Sequence, residues 1–480
     1  MSSSLLDLKT LLNATGGKLI GNASECCFTS VATDSRNVKQ GSLFVPLVGE
    51  FQNGHKYIPQ AIENGASVVF VNSNESTEGF SSFTSVVFIA VDNTLYALQA
   101  AAHAYAQKVA ANMIRVSITG SSGKTTTKEM LVSVCKAHFG EAGVAYTKGN
   151  FNSETGLPLS MFQIRGDEKI GVFEMGMNRV NEIGEISAVW QSQYGIITNI
   201  GNAHIGILGS RQNIALEKRK SFDYIPSDGA AFVPANDDFA QLCTQNVRGK
   251  VVHYGKTVPE NETGVHFIKD LGLSGTLFSV DGVEIKLPLA GEYNYQNALG
   301  VVALAKEIGI SAAEIKKGLE SVAAVTGRME VKNVQLKNGA DVVLVCDCYN
   351  ANPDSMKKVI ELCENLEDCG KKIFVLGDMK ELGQESEQAH SNIAYSAIKA
   401  GADFIIIVGP EMKAASSVLE KEAPQALSYE YYSENNQDFY AAAAEKILGY
   451  THSGDLILIK GSHSMALEKL VPMISEEVAE

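Results

Sequence analysis

Several absences bound the reading first. No window of the chain clusters lysine and arginine, and 55 acidic residues outnumber 40 basic ones for a formal net charge of −15. A phosphate backbone needs a concentrated cationic surface, so general nucleic-acid binding is argued against. The eight cysteines, at 26, 27, 135, 243, 346, 348, 363 and 369, show neither CxxC spacing nor a histidine cluster beside them. That argues against structural zinc and for reduced thiols. The start, MSSSLLDLKTLLNATGG, lacks the basic region and long apolar core of a signal peptide, and no apolar run reaches membrane-spanning length. Internal repeats and low-complexity tracts are missing too. A cytoplasmic protein without membrane insertion is expected. What is present, 45% apolar and 20% charged residues over 480 positions, is ordinary globular composition, long enough for about three domains.

One stretch then stands out. Ser117-Ile-Thr-Gly-Ser-Ser-Gly-Lys-Thr-Thr-Thr127 follows an apolar run and precedes a helix-like run, Lys128 to Phe139. Strand, glycine loop and helix in that order aim the first free N–H groups of the helix at an anion in the loop, and the helix dipole favours the same charge. Lys124 adds a cation that reaches terminal phosphates, and Thr125 or Thr126 offers a hydroxyl to magnesium. The general phosphate-loop pattern wants a glycine where this chain has Ile118, and Gly120 supplies a shorter turn. A nucleoside triphosphate is the expected ligand; the competing reading is a plain glycine-serine turn.

Residues 1–110 alternate strand-like runs, among them Ala66–Val71 and Ser85–Val91, with polar turns, and end on a helix-like run from Leu95 to Val109. They read as a small α/β domain. Thr33-Asp-Ser-Arg36 and Gly49–His55 are polar clusters that suit either a ligand or an ordinary surface loop. Over 111–325 the rhythm becomes strand, turn, helix, with apolar runs at Arg115–Thr119, Ile170–Phe173, Tyr194–Ile200, Ala230–Val233 and Lys250–Tyr254. This predicts a mostly parallel sheet flanked by helices. Ligands of such sheets collect beyond the carboxyl ends of the strands. Gly120 to Thr125, Glu174, Asn199 and His204 all fall there, so Glu174 and His204 are expected beside Lys124 as magnesium ligands. A lone histidine at a strand end is more often structural. The charged run Asn213–Phe222 reads as a solvated helix face. A desolvated lysine within it can lose its proton and take up carbon dioxide as a carbamate. Residues 326–480 repeat the rhythm with runs at Val342–Cys346, Lys372–Leu376, Phe404–Val408 and Leu456–Ile459, a Rossmann-like α/β domain, and Ala323–Glu330 is the expected hinge.

Taken together, Thr119–Met130, Gly149-Asn-Phe-Asn-Ser-Glu-Thr-Gly-Leu-Pro158, Glu174-Met-Gly-Met-Asn178, Asn199-Ile-Gly-Asn-Ala-His204, Gly327-Arg-Met-Glu330, Asp347–Met356, Leu376–Gly383 and Lys460-Gly-Ser462 resemble the Mur ligases. With Thr33–Arg36 they span all three domains. The resemblance implies a first domain that holds a UDP-muramoyl-peptide, a central ATP domain, and a third domain that supplies the amine substrate and closes over both. The stretches after Asp347 and Leu376 are similar to members that add D-alanyl-D-alanine to a UDP-N-acetylmuramoyl-tripeptide. Siblings adding another residue, folylpolyglutamate synthases, and a nucleotide-binding protein without turnover are the alternatives.

By that resemblance Gly120, Ser121, Ser122, Gly123, Lys124, Thr125 and Thr126 cradle the phosphates, with Asn294, Asn297, Arg328 and Asp347 as further nucleotide contacts. Thr125, Glu174 and His204 hold magnesium, two ions in all. Lys124, Glu174, His204 and Lys218 are the implied catalytic set, Lys218 standing where the family often carries a carbamylated lysine. Asp34, Ser35, Arg36, Asn150, Asn152, Asn350, Asn352 and Ser462 are implied substrate contacts. Departures from the family pattern fall at Tyr293, Thr326, Cys346 and His463. The implied chemistry is ATP-dependent amide formation through an acyl phosphate by a monomer whose partners are small molecules only.

Overall fold

The structure, a computed structural model, describes residues 4–21, 23, 25–78, 80, 83–366 and 369–476. Its first sheet has the order β1-β5-β4-β3-β2, formed by β1 (Lys18–Ile20), β2 (Ser30–Ala32), β3 (Ser42–Phe44), β4 (Ala66–Asn72) and β5 (Val87–Val91). Only β1 runs antiparallel to its neighbour. Val68, Phe70 and Ile89 face one side; Val69, Val71 and Phe88 face the other. That is the period of two that a strand dictates.

The central sheet is parallel throughout, with the order β11-β10-β9-β6-β8-β7. Its strands are β6 (Ile114–Thr119), β7 (Val144–Tyr146), β8 (Ile170–Glu174), β9 (Tyr194–Ile197), β10 (Ala230–Pro234) and β11 (Lys250–Tyr254). Both β8 and β10 are buried along their whole length, which explains why they read as unbroken apolar runs rather than alternating ones. The chain leaves β6 toward one edge, returns through β8, and crosses to β9 on the other side. The carboxyl end of β6 is therefore the switch point of the sheet, where a crevice opens. The run expected to reach Ile200 leaves the sheet at Ile197 because Thr198 and Asn199 turn to bind the loop after β6.

A three-stranded antiparallel sheet, β12 (Val265–Asp270), β13 (Thr276–Val280) and β14 (Val283–Leu287), was not foreseen from the apolar runs. The signal for its hairpin is Asp281-Gly282, both at positive φ between Val280 and Val283, the two-residue turn that matches strand twist. This sheet, the helices Lys124–Phe139, Glu292–Glu307 and Ala312–Glu320, and one face of the central sheet share a core that includes Ile118, Met130, Phe278, Val301 and Leu319.

The last sheet has the order β15-β16-β20-β17-β18-β19, from β15 (Glu330–Gln335), β16 (Asp341–Asp347), β17 (Lys372–Gly377), β18 (Phe404–Val408), β19 (Ser428–Tyr432) and β20 (Leu456–Lys460). Only β15 is antiparallel. Phe374, Leu376 and Ile405 face one core, and Ile373, Val375 and Ile406 the other. The edge strands β15 and β19 lack such a run because they are half exposed and carry polar residues. No helix among the described residues is long and apolar enough to cross a membrane.

Candidate active site

The loop after β6 is held by glycines and by the end of β9. Gly120 and Gly123 lie at φ 152° and 79°. A Cβ on Gly120 would fall 1.9 Å from Thr198 Oγ1, and one on Gly123 would fall 2.7 Å from Asn297 Nδ2. No side chain could stand at either. Ser121 N–H donates to the Asn199 carbonyl and Ser122 N–H to Asn199 Oδ1, both at 3.0 Å, while the Thr198 hydroxyl donates to the Ser122 carbonyl at 2.5 Å. The helix Lys124–Phe139 begins at Gly123 with no side chain capping it. Its first N–H groups are left for an anion, the arrangement a phosphate requires.

Two lysines converge on this loop. Lys124 Nζ and Lys218 Nζ each donate to the Gly120 carbonyl at 2.9 Å. Lys218 is 1% exposed; burial first and the Lys124 charge second push its ammonium well below the usual lysine range. Burial also lowers Lys124, against the attraction of Glu174. The expectation that Asn213–Phe222 presents a solvated face is corrected at its end. Glu217 and Lys218 are buried because Glu217 accepts from Ile183 N–H and from Lys220, and Lys218 finds the Gly120 carbonyl.

Glu174, at the end of β8, is 1% exposed. Its Oε2 accepts from the Thr125 hydroxyl at 2.9 Å and its Oε1 from Asn152 Nδ2 at 2.7 Å, while its own N–H donates to Thr147 Oγ1. It has no ion-pair partner among the described residues. A buried carboxylate with neutral donors only is suited to a cation. Among the described residues no group of three or more His, Cys, Asp or Glu side chains is poised to hold a metal. The Glu174 carboxylate and the Thr125 hydroxyl fit an ion that takes one or two protein oxygens and completes its shell from phosphates and water, as magnesium does. His204 is not joined to Glu174 by a hydrogen bond. Its Nδ1 lies 2.6 Å from Glu381 Oε2, and this contact holds the Glu381 carboxyl below its usual range.

The other predicted residues separate into those that meet the loop and those that do not. Asn297 packs on Gly123, whereas Asn294 turns back to the Ala290 carbonyl at 2.8 Å. Asn352 caps the helix Pro353–Glu364 and donates from Nδ2 to Ser122 Oγ at 3.0 Å, joining the third unit to the phosphate loop. Asn150 and Asn350 are exposed. Asp347 accepts from Met329 N–H and pairs with the buried Lys460. Arg328 lies 4.0 Å over the Tyr349 ring, which stacks on His463. Ser462 Oγ accepts from Lys380 N–H at 3.2 Å, beside the buried Asp378. On the first sheet Asp34, Ser35 and Arg36 line a cleft of about 570 Å³ with Gln52, Tyr57 and Gln60. Arg36 draws the Asp34 carboxyl down to about 2. Thr147 and Thr198 were not foreseen, and Asp354, Glu381 and Lys460 lie within the stretches that carry the resemblance but were given no individual role there. Lys460 and Thr198 sit directly at strand ends, and that position was the available signal.

A phosphate loop at the switch point of one parallel sheet, faced by a second open sheet, defines a nucleotide-dependent ligase architecture, and sequence comparison assigns it. Residues 28–116 match the Mur ligase family catalytic domain, 118–305 the Mur ligase middle domain, and 327–463 the Mur ligase glutamate ligase domain. The chain belongs to the Mur ligase family. It is 37% identical over 457 residues, 94% of each chain, to a UDP-N-acetylmuramoyl-tripeptide–D-alanyl-D-alanine ligase of Treponema pallidum. It is 34% identical, over 93% of each chain, to the ligase of the same description from Bacillus subtilis. In structure it is similar to MurF from Acinetobacter baumannii, with a TM-score of 0.82, 28% identity, and coverage of 96% of this chain and 97% of that one.

Proposed function

We propose that this chain joins D-alanyl-D-alanine to a UDP-N-acetylmuramoyl-tripeptide in cytoplasmic peptidoglycan precursor synthesis, forming ADP and phosphate. The observation that carries the reading is the convergence of Lys124, Lys218, Thr125 and Glu174 on a loop that Asn352 of the third unit also reaches. Residues 1–110 are taken as the UDP-substrate domain, with the Asp34–Arg36 cleft as its site, 111–325 as the ATP domain and 326–480 as the D-alanyl-D-alanine domain.

The peptide carboxylate attacks the γ-phosphorus, the ADP oxygen leaves, the dipeptide amine attacks the resulting acyl phosphate, and inorganic phosphate departs. The residues act by placement and charge. Lys124 exchanges its Gly120 contact for phosphate oxygens, and the uncapped N–H groups of its helix hold the same anion through the transfer. Glu174 and the Thr125 hydroxyl, with His204 approaching from the segment after β9, are the residues that would hold magnesium, which when bound would supply charge neutralisation. Burial pushes the Lys218 ammonium well below the usual lysine range, which favours the free amine that carbamylation requires, and a carbamate there would add a fixed anion next to Lys124. Asn150, Asn152, Asn350, Asn352 and Ser462 are proposed as polar contacts for the peptide substrates.

Phosphate release is measured with UDP-muramoyl-tripeptide and either D-alanyl-D-alanine, single amino acids or glutamate. Release with the dipeptide alone supports the reading. Release with a single amino acid instead points to a sibling ligase, and no release with any of them overturns the reading.

A further inference from the structure

The segment after β9 is touched by the third unit at three points within five residues. Asp354 Oδ2 accepts from Asn202 N–H at 2.8 Å, Glu381 Oε2 meets His204 Nδ1 at 2.6 Å, and the Glu381 carbonyl accepts from Gly206 N–H at 3.0 Å. One residue of the third unit, Glu381, thus binds this segment with its side chain and its backbone together. Both members of the pair stand in the left-handed region, His204 at φ 65° and Glu381 at φ 63°. Non-glycine residues enter that region at a cost, and here each one meets the other. The approach leaves no spare room: a Cβ on Gly206 would lie 2.6 Å from the Glu381 carbonyl oxygen.

We infer that Glu381 is a positioning residue for His204, delivered only when the third unit docks, and that metal binding and domain closure are coupled through this pair. A carboxylate can only accept, so His204 Nδ1 carries the proton of this bond, and Nε2 is the ring nitrogen left to face a ligand. Histidines that ligate metals almost always donate their other ring N–H to a carboxylate or carbonyl, which fixes tautomer and ring orientation. Glu381 supplies that partner from a different folding unit. With the third unit away, His204 loses both the carboxylate that orients it and the backbone contact at Gly206. The inference rests on the reading of His204 as a magnesium ligand.

The test uses Mn²⁺ binding to full-length enzyme saturated with a non-hydrolysable ATP analogue, read from the electron paramagnetic resonance of free Mn²⁺. Nucleotide affinity without metal and small-angle scattering under saturating ligands are measured alongside. Glu381→Ala is expected to weaken Mn²⁺ binding about 10- to 100-fold with metal-free nucleotide affinity unchanged. Glu381→Gln, whose amide oxygen still accepts from Nδ1–H, should lose less. Gly206→Ala keeps both side chains and should reproduce the loss by blocking docking, with a scattering profile that stays extended and an unchanged melting temperature. If His204→Ala weakens Mn²⁺ binding while Glu381→Ala and Gly206→Ala leave it intact, the inference is overturned and the metal assignment stands. If His204→Ala itself leaves Mn²⁺ binding intact, both fall.

Discussion

The two seams of this molecule are built from opposite materials. Between the first and central sheets lies one continuous apolar core around the helix Thr94–Val109, whose Ala97, Leu98, Ala101, Ala102, Tyr105 and Ala106 are buried. Val68 and Phe70 of the first sheet and Met161, Phe173 and Trp190 of the central unit belong to that same core. Tyr105 packs on Phe162 with centroids 5.3 Å apart and donates to the Ile164 carbonyl. Between the central and third units the contacts are mostly single polar bonds: Asn352 to Ser122, Asn202 to Asp354, and Glu381 to His204 and Gly206. Ile205, Leu273 and Tyr293 add a thin apolar margin against the third core. Water competes for polar bonds at small net cost but cannot replace buried apolar area. The apolar seam is expected to behave as a fixed joint, and the polar one as the seam that opens and closes if substrates drive closure.

Lys124→Ala tests the chemistry that the second seam encloses. Turnover should fall on the order of a thousandfold, with the melting temperature unchanged because this side chain supports no core. The measurement is phosphate release beside thermal unfolding. Leu98→Ala attacks the fixed joint instead and should destabilise by about 2–5 kcal/mol, with loss of first-sheet and central-unit signals in one transition on denaturant unfolding. Separate transitions for these two units would break the comparison.

Lys218→Ala should lower turnover on the order of a hundredfold, and short carboxylic acids, but not bicarbonate, should restore part of it. Full activity without additive removes Lys218 from the site. Asn352→Asp keeps the helix cap but loses the donor to Ser122. It should weaken closure by about 1 kcal/mol, seen as reduced compaction in scattering under saturating ligands, with unfolding of the first seam unaltered.

The smallest effect is a pH dependence within the third unit. His390 is fully buried; its Nε2 accepts from Met379 N–H at 2.9 Å and its Nδ1–H donates to the Ser386 carbonyl at 2.7 Å. Burial depresses it below the usual histidine range, against the charges of Asp378 and Glu411 and with that of Lys380. The unfolded chain binds this proton more readily than the folded one, so stability rises with pH. The contribution is complete above about 6.5 and is lost as pH falls through the depressed folded value. In His390→Asn the slope of unfolding free energy over that window should flatten, and an identical slope would refute the assignment.

The phosphate loop and the ends of β8 and β16 were legible because each lies within a few residues of an unbroken apolar run. The burial of Lys218 was not legible, since a charged helical stretch looks the same whether it faces water or a backbone carbonyl 98 positions away. Nor was the fate of Asn294 and Asn297, which share one helix start: one capped its own turn and the other reached Gly123. The edge strands β15 and β19 escaped because edges need only half an apolar pattern.

The sequence by itself determined the local structure: glycines where Gly120 and Gly123 must turn, the period of two along Ile373–Leu376, and motifs that name the family. Those features depend on residues adjacent in the chain. The tertiary structure alone decided that Lys124 and Lys218 meet at one carbonyl, that Asn352 reaches Ser122, and that His204 faces Glu381. Such meetings depend on strand order and on how separate units dock, and a polar side chain takes its role from the partner that burial leaves it.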